Sequence, residues 1–419
     1  MDQYGIILLL LAIMLGLSAI AEKIKLPYPI LLVAAGIGVG FIPGMPKIEL
    51  DPAIVFLLFL PPMLYDAAFN ISLKEFKNNI STIMTLAFTL VFMTATGIAV
   101  MVHYLIPGMT WPLSFVLGAI LSATDAVAAM SITRGLGLSH KTMTILEGES
   151  LINDASGLIA YRLAVAAIAG SSFVLWKAGV QFVFLIVGGY LVGLLLGVIL
   201  TFLLKHTHRK SVVAISFTLL MPFIAYLLAE ELHVSGVIAV VVIGFMISKL
   251  SRVKNLAGET RASYKSIWEI IVFILNGLIF VLIGIEFPYV IRNIDAALIW
   301  PLIGYSFLIC LLALAIRMLR IFLQRVNLEK TFQRKSIARH RRALLNWKEC
   351  LIIGWSGMRG IVSLATALAL PLTLSDGTAF PQRNVIIFIS VVVVLITLVV
   401  QGLSLPLLVR FLNVKHQNH

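Results

Sequence analysis

Residues 144–169 read TILEGESLINDASGLIAYRLAVAAIA. The run is long and apolar enough to cross a hydrocarbon core of roughly 30 Å, which takes about 20 residues of helix. Yet its first half holds Glu147, Glu149, Asn153 and Asp154. An ionisable side chain at the bilayer centre costs at least about 2.5–3.5 kcal/mol, so each one asks for a functional reason. At 3.6 residues per turn, Ser150 and Asp154 stand one turn apart on one face, and Glu149 and Asn153 form a second such pair beside them. Asp154 lies about ten residues in, a rise of roughly 15 Å, which is mid-bilayer depth. A carboxylate, a hydroxyl and an amide converging there make an oxygen-rich site suited to a hard monovalent cation. The plainer reading is a polar network that glues helices together. Glue rarely needs three acidic residues within eight positions.

The rest of the chain places this run in a membrane. Of 419 residues, 60% are hydrophobic and only 12% charged, about half the charged share of a soluble domain. Long apolar stretches recur from end to end, so the class is an all-α polytopic membrane protein rather than a soluble domain with one anchor. Cys310 and Cys350 fall in or beside apolar segments and read as small buried hydrophobes, with no disulfide, resident metal or cofactor implied. The first apolar run follows Asp2 and lacks a basic leader, so it is expected to stay as the first span.

Thirteen candidate spans follow: 4–21, 27–42, 52–69, 80–105, 112–133, 144–169, 178–204, 211–230, 234–250, 266–287, 297–322, 349–374 and 384–410. Alternate connectors differ sharply in charge. One set, with the C-terminal end, holds 24 of the 32 Lys and Arg; the other holds four, and four lie inside spans. By the positive-inside rule the N-terminus is outside and the C-terminus cytoplasmic, in a cell membrane. That distribution explains a net charge of +13 without nucleic acid. The basic run RKSIARHRR, 334–342, reads as a topological anchor that meets anionic lipid headgroups, and with only a few residues after the last span no separate regulatory domain is expected.

Two further spans carry polar interruptions. In the fifth, SATDAVA (122–128) puts Asp125 near mid-depth, where Thr124 and Asp125 can satisfy backbone groups and permit a break. Capping such a break and binding an ion are equally open roles for Asp125. In the twelfth, GMRGIVSLA (357–365) sets Arg359 between two glycines, where a helix can break and backbone can approach closely. A central arginine needs a carboxylate, and Glu149, Asp125 and Asp154 are all at its depth. The fifth and twelfth spans cross in opposite directions, and paired interruptions of this kind point to inverted repeats with the site at their interface. Arg162, Glu269, Glu286, Arg317 and Arg320 lie nearer span ends, where snorkelling or lateral pairing is expected.

Together SATDAVA, GESLINDASG and GMRGIVSLA, with FILNGLIFVLIG (273–284), resemble the cation–proton antiporters of the NhaP type, related to the mammalian sodium/hydrogen exchangers. The resemblance runs in span order through the whole hydrophobic chain. It implies that Asp154 binds cation or proton in turn, with Ser150, Asn153 and Thr124 as ligands or supports of a transported sodium ion. It also implies Asp125 as a balancing charge at crossed, broken helices, an ion pair between Glu149 and Arg359, and a homodimer. Two positions depart from the family pattern. Ala126 stands where proline usually follows the aspartate, so the break must rest on packing rather than on a missing donor. In PPMLYDAAF (61–69), Asp66 stands where glutamate is common.

The expected division is 1–79 as interface helices, 80–170 as transport bundle, 171–296 as linker and interface, and 297–419 as the rest of the bundle. The expected activity is one-for-one, electroneutral exchange of sodium (or lithium or potassium) for protons by alternating access, since Asn153 leaves a single cycling carboxylate. A potassium/proton antiporter on the same scaffold is the rival reading. An intramembrane hydrolase using Asp125 and Asp154 lacks any accompanying motif, and a channel would not need titratable groups at mid-depth.

Overall fold

The computed structural model describes residues 12–19, 28–42, 52–133, 138–168, 175–207, 211–253, 258–335, 345–374 and 377–412. All but the first two residues of the basic run 334–342 and much of the first candidate span therefore lie outside the described residues. Those described are helical, with one isolated strand-like pairing between Thr373 and Ala379. In chain order the helices are α1 (12–19), α2 (Tyr28–Gly40), α3 (Pro52–Asn70), α4 (Leu73–Asn78), α5 (Ile80–Leu105), α6 (Trp111–Ser122), α7 (Ala126–Thr133) and α8 (His140–Ile168). They continue as α9 (Leu175–His206), α10 (Ser211–Glu231), α11 (Gly236–Val253), α12 (Gly258–Arg292), α13 (Ala296–Lys335), α14 (Trp347–Trp355), α15 (Ile361–Leu368) and α16 (Arg383–Phe411).

Eight of these are long and apolar enough to cross a membrane, and Tyr28–Gly40, Trp111–Ser122 and Gly236–Leu250 are shorter apolar helices. This is an all-α, multi-pass membrane protein. The division into exactly thirteen spans rests on the sequence alone. Two spans are broken as the polar interruptions suggested. Helix α6 stops at Ser122 because Ala123 turns extended, with φ −68° and ψ 142°, and α7 starts three residues later. Helix α14 stops at Trp355, and α15 resumes after Gly360, whose backbone is not helical (φ −154°, ψ −136°).

The described chain divides into two compact units. The first comprises α1, α2, α4–α8, the second half of α12 and α13–α16. Within it α2 and α12 meet at Gly36 and Gly284, where a Cβ on either would overlap the other helix's backbone. Both cysteines are buried free thiols in this unit. The second unit comprises α3, α9–α11 and the start of α12. There Gly189, Gly193 and Gly197, spaced by four, lay one face of α9 against α11, and a Cβ at Gly193 would come 2.6 Å from the Ala239 carbonyl. Small residues at that spacing let helices pack closely where lipid supplies no hydrophobic drive. Tyr65 of α3 and Trp268 of α12 pack ring on ring at 4.8 Å in the same unit. The interrupted helices α6, α7, α14 and α15, and α8 with them, all belong to the first unit.

Candidate ion-binding site

The two breaks face each other. The Asp125 amide donates to the Met358 carbonyl at 2.8 Å, which joins one break to the other by backbone. The Asp125 carboxylate then serves both resumed half-helices. Its Oδ1 accepts from the Ala128 amide of α7 at 3.1 Å, and its Oδ2 from the Ile361 amide of α15 at 3.3 Å. One negative charge therefore caps two helix N-termini, where dipole and unsatisfied N–H groups both favour an anion. Gly360 makes this possible, since a Cβ there would fall on the Asp125 carboxylate.

The C-terminal ends of the interrupted helices receive the opposite charge. Arg359 Nε donates to the Leu121 carbonyl in the last turn of α6 at 3.0 Å, and its Nη1 to Gly357 at 3.1 Å. Arg317, from α13, donates through Nε to the Ile353 carbonyl in the last turn of α14 at 3.1 Å. Its terminal nitrogens both reach Glu149, Nη2 at 2.7 Å from Oε2 and Nη1 in a shorter contact with Oε1. Gly357 leaves the room that the Arg317 guanidinium fills. Arginine at a C-terminal end and carboxylate at an N-terminal one is the arrangement the dipoles favour.

Helix α8 supplies the remaining groups. Ser150 donates to the Thr124 carbonyl at 2.8 Å and accepts from the Ala126 amide at 3.2 Å. It satisfies backbone that the break would otherwise leave open, so the break holds without a proline at 126. Asn153 Nδ2 donates to Thr124 Oγ1 at 2.7 Å, and the Thr124 hydroxyl donates to Glu149 at 3.4 Å. The Asn153 Oδ1 atom is buried without a partner. Asp154 is 7% exposed. Among the described residues no donor reaches its carboxylate, and the charge that acts on it is the like charge of Asp125. Ser156, farther along, donates to the Ala87 carbonyl at 2.7 Å in a π-turn of α5, Thr85–Leu90.

Thr124, Glu149, Asn153, Asp154 and Arg359, all buried, thus lie in one region with the half-buried Asp125 and Ser150. The expected ion pair between Glu149 and Arg359 is corrected: Glu149 belongs to Arg317, and Arg359 spends its side-chain donors on carbonyls. The expectation that Arg317 sits near a span end and snorkels is corrected with it, since Arg317 is 2% exposed. The hydropathy boundary falls at 322, whereas the helix runs on to Lys335, which puts Arg317 well inside. Its six preceding apolar residues, 311–316, were the available signal.

These buried charges do not balance. Among the described residues, Arg317 and Arg359 oppose Glu149, Asp154 and the half-buried Asp125, which leaves one carboxylate without a counter-charge in a low-dielectric interior. Such a group must take up a proton or a cation.

A sequence profile of the family described as "Sodium/hydrogen exchanger, transmembrane" matches residues 6–411. The chain belongs to the sodium/hydrogen exchanger family. A "Sodium, potassium, lithium and rubidium/H(+) antiporter" of Bacillus subtilis is 35% identical over 97% of this exchanger-family chain, and its counterpart from Bacillus pumilus 33% identical over 97%. The chain spans about three-fifths of the length of those two relatives (62% and 61%). A "Na(+)/H(+) antiporter NhaH" from Halobacillus dabanensis is 32% identical, with 98% of each chain covered. Among solved structures, the sodium proton antiporter MjNhaP1 from Methanocaldococcus jannaschii at pH 8 superposes with a TM-score of 0.76 at 21% identity, covering 98% of each chain. The exchanger fold is shared. By name, these relatives are transporters rather than enzymes.

Proposed function

We propose that the chain is a secondary antiporter that exchanges a monovalent cation for a proton at Asp154, with Asn153, Ser150 and Thr124 supplying further oxygens. The observation that carries this reading is the uncompensated Asp154 carboxylate beside an unpartnered Asn153 Oδ1. A proton and a bare cation each complete the charge balance there, and both cannot do so at once. Competition for one carboxylate couples the two fluxes. Because one group cycles, exchange is one-for-one and electroneutral.

In this reading the helices of 80–170 and 297–419 carry the site, moving against the remainder so that Asp154 opens to one side at a time. The N-terminus is outside and the C-terminus cytoplasmic in a cell membrane, as the connector charges suggest, and the exchanger resemblance supports a homodimer. Sodium is the expected cation. The names of the Bacillus relatives, which include potassium, lithium and rubidium, favour potassium as the second reading.

The test is reconstitution in liposomes. Outward gradients of sodium, lithium and potassium are imposed separately, and internal pH is followed with the membrane potential clamped at several values. Cation-driven proton movement that is independent of potential and lost in Asp154→Asn is expected. Persistence of exchange in a folded Asp154→Asn protein would sink the site; dependence on potential would sink the stoichiometry.

A further inference from the structure

Of the three acidic residues in the decisive stretch, Glu149 is held by Arg317 and Asp154 is the exchanging carboxylate. Glu147 has no such assignment. It is half-buried, and among the described residues no hydrogen bond or ion pair engages it. Its position on α8 is specific. Ser150 is three residues beyond it and Asp154 seven, so all three project from one face of the helix, with about 10 Å of rise between the two carboxylates. Helical side chains lean toward the N-terminus of their helix, so Asp154 leans toward Glu147, and Glu147 toward the helix end at His140.

The other faces of α8 are closed at this level. Gly148 lies against Phe76 and Ile83, and Glu149 against Arg317. Around this stretch α7 has no ionisable residue and α5 has His103 and Tyr104 at its far end, while α4, whose Phe76 lies against Gly148, carries Lys74, Glu75 and Lys77, none of them paired with Glu147 among the described residues. Lys141 and Glu349 are engaged with each other at 3.8 Å nearer the helix start. On α4, Glu75 acts on Lys141.

We infer that Glu147 is the proton-transfer carboxylate between Asp154 and the aqueous side at the N-terminal end of α8. This rests on the reading of Asp154 as the exchanging group. When a cation arrives, the O–H bond at Asp154 breaks and its proton passes through intervening water to form an O–H bond at Glu147. Glu147 then releases that proton to bulk water. The cation replaces the proton at Asp154, so charge there is conserved. On the return half-cycle Asp154 faces the opposite side, where the cation leaves and a proton from that side forms the new O–H bond, so Glu147 serves the half-cycle open to its own side.

The experiment compares wild type, Glu147→Gln and Glu147→Asp in liposomes, measuring cation-driven proton flux against pH at saturating sodium, and the half-saturating sodium concentration at each pH. Folding is checked by monodispersity and thermal unfolding. Maximal flux in Glu147→Gln is expected to fall about tenfold, equivalent to about 1.4 kcal/mol of barrier, with a changed pH profile, an unaltered half-saturating sodium concentration and recovery in Glu147→Asp. Wild-type flux in Glu147→Gln, or a loss confined to sodium affinity, would overturn the inference. If Glu147→Gln does not fold, a Glu147→Asp protein whose flux and pH profile match wild type supports it, and one with a changed sodium affinity alone overturns it. Absence of exchange in wild type would instead overturn the proposed function.

Discussion

Arg317 grips Glu149 through both terminal guanidinium nitrogens, with the two side chains 2% and 1% exposed. Removing one partner of a buried pair leaves the other charge stranded, which costs about 3–5 kcal/mol. Glu149→Gln and Arg317→Met are each expected to destabilise the folded protein by about that much in thermal or denaturant unfolding. The double variant Glu149→Leu with Arg317→Met should recover much of the loss. A double variant as unstable as the sum of the singles would show that the pair's worth lies in its bonds to Thr124 and Ile353 instead.

Gly360 and Asp125 are in contact through the space a side chain would need. Gly360→Ala should therefore push the Asp125 carboxylate off at least one half-helix, at about 1–3 kcal/mol for the overpacking, with loss of exchange. Gly38 is the control, because a Cβ there meets nothing within 4 Å. In a helix interior Gly38→Ala should stabilise by about 0.5–1 kcal/mol and leave exchange unchanged.

Competition at Asp154 fixes the sign of the pH dependence. Protons and sodium cannot share the carboxylate, so acidification at fixed sodium lowers occupancy by the cation. Once Asp154 is mostly protonated, the half-saturating sodium concentration should rise about tenfold for each unit of falling pH. Initial-rate measurements from alkaline to acidic pH would show this slope, and a half-saturation that ignores pH would count against a shared site.

Thr124 is the acceptor for Asn153 and a donor to Glu149. Thr124→Val removes both while nearly keeping the shape. The stranded Asn153 donor should cost about 1–3 kcal/mol of stability, and the half-saturating sodium concentration should rise because Asn153 loses its orientation. Sodium titration monitored by thermal stabilisation reads both effects in one experiment.

Much of this was legible in the sequence, because membrane physics leaves few choices. An apolar run must be a helix, and a carboxylate at its centre must have a purpose. The breaks at 122–125 and 356–360 were readable from Thr124, Asp125 and the flanking glycines of Arg359. What sequence could not supply was pairing. Three carboxylates stand at the depth of Arg359, and depth alone does not choose among them. Arg317 reads from the sequence as a snorkelling residue near a span end because a hydropathy boundary falls where apolar residues thin out, while its helix continues beyond. The double task of Ser150, closing a carbonyl and an amide across the break, was equally hidden. It depends on how two helices cross, and one-dimensional spacing carries no record of that.

The shared carboxylate of Asp125 also governs how this crossing can come apart. Because one side chain closes a first-turn amide in each of two half-helices, neither end can fray without freeing the other. Their backbone amides should then belong to one cooperative opening unit. Deuterium uptake at Ala128 and Ile361 should follow a common opening rate in wild type. In Asp125→Ala it should accelerate at both positions together, although they are far apart in the chain.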